Sequence, residues 1–256
     1  MTMNTPLMPM LFVGHGSPLN ALEDTRYSEG WKAISKEIPT PKAILAISAH
    51  YYADGTFLND AQNPKQIYDM YGFPDALYRI TYHPQGNPVL AKSIANLVGG
   101  KTNASFGIDH GIWSVLRRSY PEANIPVIAM SVNHQLSPQE MVELGKKLKV
   151  LREQGILLFG TGSIVHNLYL VDWDNQGGYP WAEDYQKRIN ERVLNNDVNA
   201  LVHFDRDPDA SKAFTSVEHY APLLYLLGAR DEKDHVKIFN DSETLGSISM
   251  TSYLFY

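Results

Sequence analysis

The chain has 256 residues and no cysteine. Disulfides, thiolate metal sites and a cysteine nucleophile are therefore excluded, and any bound metal must be held by His, Asp or Glu. The same absence fits a reducing compartment, and a cytoplasmic location is expected. Positive charge is also scarce: 22 Lys and Arg against 28 Asp and Glu leave a net charge of -6 with the histidines neutral. No run of Lys and Arg makes the basic face that phosphate binding needs, so no nucleic-acid partner is expected. No apolar run approaches the ~20 residues of a membrane helix. The opening segment MTMNTPLMPMLFV has neither the basic start nor the long apolar stretch of a signal peptide, so no membrane association is expected. No internal repeat, low-complexity segment or Pro/Gly/Ser-rich linker interrupts the chain. A single domain over residues 1–256 is expected, long enough to bury a core without staples.

What is present alternates. Met10 to Val13, Ala43 to Ser48, Val127 to Val132 and Ile156 to Phe159 are continuously apolar, as strands covered on both faces should be. Val236 to Phe239 and Ile248 to Leu254 complete the strand set, the last alternating more and placed nearer an edge. The clearest helix runs from Pro138 to Glu153. Ser137 is its N-cap, Glu140 completes a capping box, and Met141, Leu144, Leu148 and Leu151 form one apolar stripe before Gly155. Further helices are expected at Glu23 to Glu37, Pro88 to Leu97, Ile112 to Tyr120, Trp181 to Leu194 and Val217 to Leu227. This order predicts an α/β fold, with a central, largely parallel or mixed sheet flanked by helices on both faces. Tyr51 to Pro84 is the longest stretch without clear periodicity, and such loops tend to be functional.

Histidine is where chemistry concentrates. MLFVGHGSP carries a strand to His15, and AILAISAHYY carries another to His50. ILLFGTGSIVHN carries a third into a glycine-containing turn and then to His166. Ligand sites of open α/β sheets lie beyond the carboxyl ends of the strands. A lone histidine there is usually a satisfied polar residue, but three such placements point together to a metal or catalytic site. His110, in FGIDHGIW, precedes a helix for which Asp109 serves as N-cap. His219, in TSVEHYAPLLYLLGA, stands near the start of an apolar helix capped by Ser216, and position alone leaves it either a ligand or an ordinary first-turn residue. His83, His134, His203 and His235 have the surroundings of solvated surface residues.

Taken in order, LFVGHGSP, AISAHYY, YDMYGFP, FGIDHGIWSVL, GTGSIVHNL and EHYAPLLYLLGA resemble, from end to end, the class III extradiol ring-cleavage dioxygenases, in the branch called 4,5-DOPA dioxygenase extradiol. The resemblance implies an oxidoreductase that opens a catechol such as DOPA with O2, using one non-haem Fe(II) in a site that also accepts Zn(II). It implies His15, His50 and His219 as metal ligands. His166 would be the acid/base beside the metal, also able to serve as a fourth ligand, and His110 a second active-site histidine. Tyr68, Asp69 and Phe73 fall in the pocket loop of the family, although core packing explains Tyr68 and Phe73 equally well. Many non-haem iron oxygenases use two histidines and a carboxylate. Here the third position is His219, and the adjacent Glu218 is expected to point elsewhere on a helix. Two rivals remain. One is a zinc-dependent hydrolase, for which no HExxH motif is present. The other is a non-enzymatic, metal-containing interaction module on the same fold.

Overall fold

The computed structural model describes residues 7–256. The first six residues, part of the segment compared above with a signal peptide, lie outside the described residues. Among the described residues, ten strands form: β1 Met10–Gly14, β2 Ala43–Ala53, β3 Phe57–Leu58, β4 Lys101–Thr102, β5 Val127–Asn133, β6 Ile156–Gly162, β7 Val236–Phe239, β8 Glu243–Thr244, β9 Ile248–Ser249 and β10 Ser252–Phe255. The α-helices are α1 Arg26–Ser35, α2 Asp75–Tyr78, α3 Pro88–Val98, α4 His110–Ser119, α5 Pro138–Glu153, α6 Pro180–Leu194, α7 Val198–Val202, α8 Ala210–Ala213 and α9 Ala221–Ala229.

Eight strands make one mixed sheet in the order β4-β3-β5-β2-β6-β1-β10-β7, and β8 pairs with β9 alone. The middle, β5-β2-β6-β1, is parallel, while β10 and β7 continue it antiparallel on one side. Side-chain alternation along the central strands explains their unbroken hydrophobicity. Met10, Phe12, Leu45 and Ile47 enter a core shared with α3, α5, α6 and α9. Leu11, Val13, Ile44 and Ala46 enter a second core, under α1 and α4. Both faces are thus buried, as the parallel arrangement requires.

The capping box of α5 is present, with the Ser137 side chain accepting from Glu140 N and Glu140 accepting from Ser137 N. Four expectations are corrected. Ile248 to Leu254 is not one strand: Ser249 Oγ accepts from Thr251 N and Ser252 Oγ donates to Met250 O, and these bonds satisfy the backbone at a break between β9 and β10. β10 is also inside the sheet, with β7 as the edge. Val217 to Leu227 is not one helix. Residues Val217–His219 form a separate 3-10 turn, Ser216 makes no side-chain cap bond, and α9 starts at Ala221 with Pro222 in its first turn. Proline fits there because its missing N–H would be unpaired anyway. β2 does not stop at Ser48. It runs to Ala53, but its register with β5 shifts between Ser48 and Tyr52, so His50 sits inside an irregularity of the strand. Such bulges re-aim a side chain.

Candidate metal centre

β1, β2 and β6 are neighbours, and their carboxyl ends supply the site. His15 directly follows β1, and its backbone N–H donates to Gly162 O at the end of β6. His50 projects from the β2 irregularity. His219 closes the 3-10 turn before α9, and its carbonyl accepts from Ser163 N, which pins that turn to β6. Gly162 is required at this junction: a Cβ there would collide with the His219 carbonyl.

The three imidazoles meet. Ring centroids are 4.8 Å apart for His15 and His50, 5.5 Å for His15 and His219, and 5.2 Å for His50 and His219. His15 and His219 are buried, and His50 is nearly so. His50 Nε2 lies 3.3 Å from His219 Nε2. Two nitrogens bound to one tetrahedral ion at ~2.05 Å would be separated by about 3.3 Å, so this spacing fits two ligands of a single ion.

The far nitrogens are engaged elsewhere. His15 Nδ1 is 2.9 Å from Thr161 Oγ1, which donates to Gly111 O. His219 Nδ1 is 3.3 Å from Glu218 Oε1. His50 Nδ1 lies 3.2 Å from Asp69 Oδ2 and 3.4 Å from Asp109 Oδ1, paired by charge rather than by an aligned hydrogen bond. Metal-bound histidines commonly turn their second nitrogen to such partners. The expectation that Glu218 points away is corrected. It does not lie on α9, so helical direction does not govern it.

Electrostatics agree with the geometry. Burial, then repulsion from the neighbouring imidazoles, holds His15 and His219 well below the ordinary histidine value. Burial and His50 also lower His110, and they lower His166 to about 4. All four are therefore neutral with a free lone pair, as metal ligation demands. His50 is the exception. Burial opposes its charge, but Asp109 and Asp69 outweigh it and push the group up to about 9. The niche around His50 thus favours one positive charge. Four buried atoms here, His50 Nδ1, His110 Nδ1, Asp109 Oδ2 and Glu218 Oε2, lack an aligned partner among the described residues.

His166 and His110 flank the centre through different neighbours. The His166 ring stacks on His219 at 3.5 Å, and the His110 ring is 4.1 Å from that of His50. Donor atoms lie within 4.8 Å of one another in three sets: His15, His50 and His110; His166, Glu218 and His219; and His50, Asp69 and Asp109. Asp69 accepts from His110 N at 2.9 Å and reaches both His110 and His50. Asp109 precedes α4 as expected, yet its carboxylate caps nothing and accepts from Ser48 Oγ instead. The side chains of Tyr68 and Phe73 are engaged in packing. The Tyr68 hydroxyl donates to Ile80 O and its ring lies beside Trp113, while Phe73 packs on the second core. His83, His134 and His235 are exposed, and His203 bonds its own helix through Asn199 O. Thr161 went unnoticed in the sequence. Its signal was available, because Leu157 and Phe159 face the second core and period-two alternation aims residue 161 the same way.

Residues 9–256 match the family described as the catalytic LigB subunit of aromatic ring-opening dioxygenase. The chain belongs to this family. It is an oxidoreductase of the extradiol ring-opening class, whose members depend on a metal. The dioxygenase is 36% identical to the 4,5-DOPA dioxygenase extradiol of Escherichia coli (strain K12), across 98% of this chain and 95% of that protein. It is 34% identical to the protein of the same name from Beta vulgaris, across 95% of each. The crystal structure of an uncharacterized protein from Escherichia coli K12 superposes with a TM-score of 0.83 at 34% identity, covering 97% of this chain and all of that one. Among the described residues, no helix is long and apolar enough to cross a membrane.

Proposed function

We propose that this dioxygenase opens the ring of a catechol such as DOPA beside its diol, using O2 and one Fe(II) held by His15, His50 and His219. The observation that carries the reading is the meeting of those three imidazoles, with Nε2 of His50 and His219 spaced as ligands of one ion. Imidazole nitrogens suit Fe(II) and Zn(II) alike once His50 has given up its proton to the ion, so zinc is a natural occupant of the same site. Iron, when bound, supplies the one-electron chemistry that joins catecholate to dioxygen, which zinc lacks.

The residues of the chain manage protons and position. With imidazole ligands and the Asp69, Asp109 and Glu218 carboxylates behind them, an ion would keep its dipositive charge within the ligand shell itself, which favours an anionic catecholate. His166, stacked on His219, takes the proton of one catechol hydroxyl and returns it as the ring opens. His110, anchored through its backbone to Asp69, offers a second hydrogen bond to substrate from the His50 side. Both atoms of O2 end in a muconic semialdehyde-type product, so no external reductant is consumed. A cytoplasmic location belongs to the same reading.

A second donor set, His166, Glu218 and His219, offers two histidines and a carboxylate. The test of function is anaerobic reconstitution with Fe(II) or Zn(II), followed by oxygen uptake and product absorbance over a panel of catechols. The expected result is one O2 per catechol with iron and none with zinc. Zinc-supported hydrolysis without oxygen uptake would favour a hydrolase and overturn the proposal.

A further inference from the structure

The hydroxyl of Thr161 has a single proton and two close polar neighbours. It lies 2.8 Å from Gly111 O and 2.9 Å from His15 Nδ1, and it is fully buried. A backbone carbonyl can only accept. The hydroxyl proton therefore goes to Gly111 O, and the oxygen is left to accept from His15 Nδ1–H. That fixes the tautomer: the His15 proton sits on Nδ1, and Nε2 keeps its lone pair.

We infer that Thr161 is a positioning residue for the metal centre, setting the His15 tautomer so that Nε2 is free to bind the ion. The inference rests on the ligand role given to His15 above. Thr161 ties three elements at one point: the end of β6, His15 after β1, and the first turn of α4, which carries His110. Gly111 completes the joint, since a Cβ there would press on His15 Nδ1 at 3.2 Å and on Asp109 Oδ1 at 3.1 Å. Valine at position 161 would keep the approximate shape and remove both the acceptor for Nδ1–H and the donor to Gly111 O. The imidazole would then be released to the other tautomer, with a proton on the ligating nitrogen.

Two measurements on the whole protein test this. The first is long-range 1H–15N correlation NMR of the histidine rings in metal-free protein. His15 is expected to show the Nδ1–H form, and an Nε2–H form would overturn the inference. The second is zinc affinity by competition with a chromophoric chelator, for wild type, Thr161→Val and Thr161→Ser, with folding checked by circular dichroism. Thr161→Val is expected to bind zinc 10–100-fold more weakly, as loss of a partner behind a ligand typically does. Thr161→Ser, which keeps the hydroxyl, is expected to restore affinity. A folded Thr161→Val with unchanged affinity would overturn the role. Should Thr161→Val not fold, the tautomer in wild type and the affinity of Thr161→Ser still decide. Wild-type protein that binds no zinc would remove the ligand reading itself, while the NMR result would still report what Thr161 does to His15.

Discussion

Each histidine of the site is defined by what its second nitrogen touches. His15, His50 and His219 turn that nitrogen to Thr161, to the Asp69 and Asp109 carboxylates, and to Glu218. Among the described residues, no other side chain hydrogen-bonds the His166 ring. The backbone N–H of His166 is bound to Ala213 O, its ring stacks on His219, and its donor atom lies within 4.8 Å of those of Glu218 and His219. Removing His166 should therefore leave metal binding largely intact while removing a proton carrier, an effect typically of 10²–10⁴-fold on rate. His166→Ala is expected to keep wild-type metal content by elemental analysis and to lose turnover on that scale, whereas His219→Ala should lose the metal. Loss of metal from His166→Ala would move His166 into the ligand set. His15, His50 and His166 were legible because strand ends and a glycine turn mark them, whereas His110 and His219 stand at helix starts and were assigned through the family resemblance. Glu218 was not, because the sequence suggested a helix there. Pro222 instead fixes the start of α9 at Ala221 and leaves residue 218 in a turn of its own.

At the scale of elements, the central strands and α5 were legible for physical reasons: burial on both faces gives unbroken apolar runs, and a capping box is local chemistry. Register was not legible. Nothing in AILAISAHYY announces that β2 slips against β5 beside His50, since a bulge depends on the partner strand. The β8–β9 pair was missed for a similar reason, being held by bonds from distant loops such as Tyr179 N to Gly246 O. This pair contains the buried Glu243. Burial, then the charges of Asp241 and Glu183, push its carboxyl up to about 7. The folded state therefore binds this proton more tightly than the unfolded chain, whose value is near 4.5. The associated stability is complete below about 4.5, declines through the interval, and is gone above about 7. Integration gives about 3 kcal/mol. Glu243→Gln, uncharged throughout, should not show this loss. Urea unfolding at pH 5 and pH 8 is expected to reveal a decline of about 2.5 kcal/mol in wild type that the variant lacks. Parallel curves for the two proteins would contradict it.

At the scale of the molecule, the parallel middle of the sheet aligns the carboxyl ends of β1, β2 and β6 side by side, and this is how residues 15, 50 and 219, far apart in the chain, come to one point. The α/β class could be read from the alternation of elements. The strand order could not, because it is set by how both cores close over the sheet. The antiparallel β10 and β7 leave the parallel set and its shared end intact. The central claim is that one ion sits among His15, His50 and His219. Its most direct test is anomalous X-ray diffraction from crystals loaded with Fe(II) or Zn(II), collected at the edge of that metal. A single peak bonded to Nε2 of those three histidines is predicted. A peak bonded to His166, Glu218 and His219, or to Nδ1 atoms of the three, would contradict it.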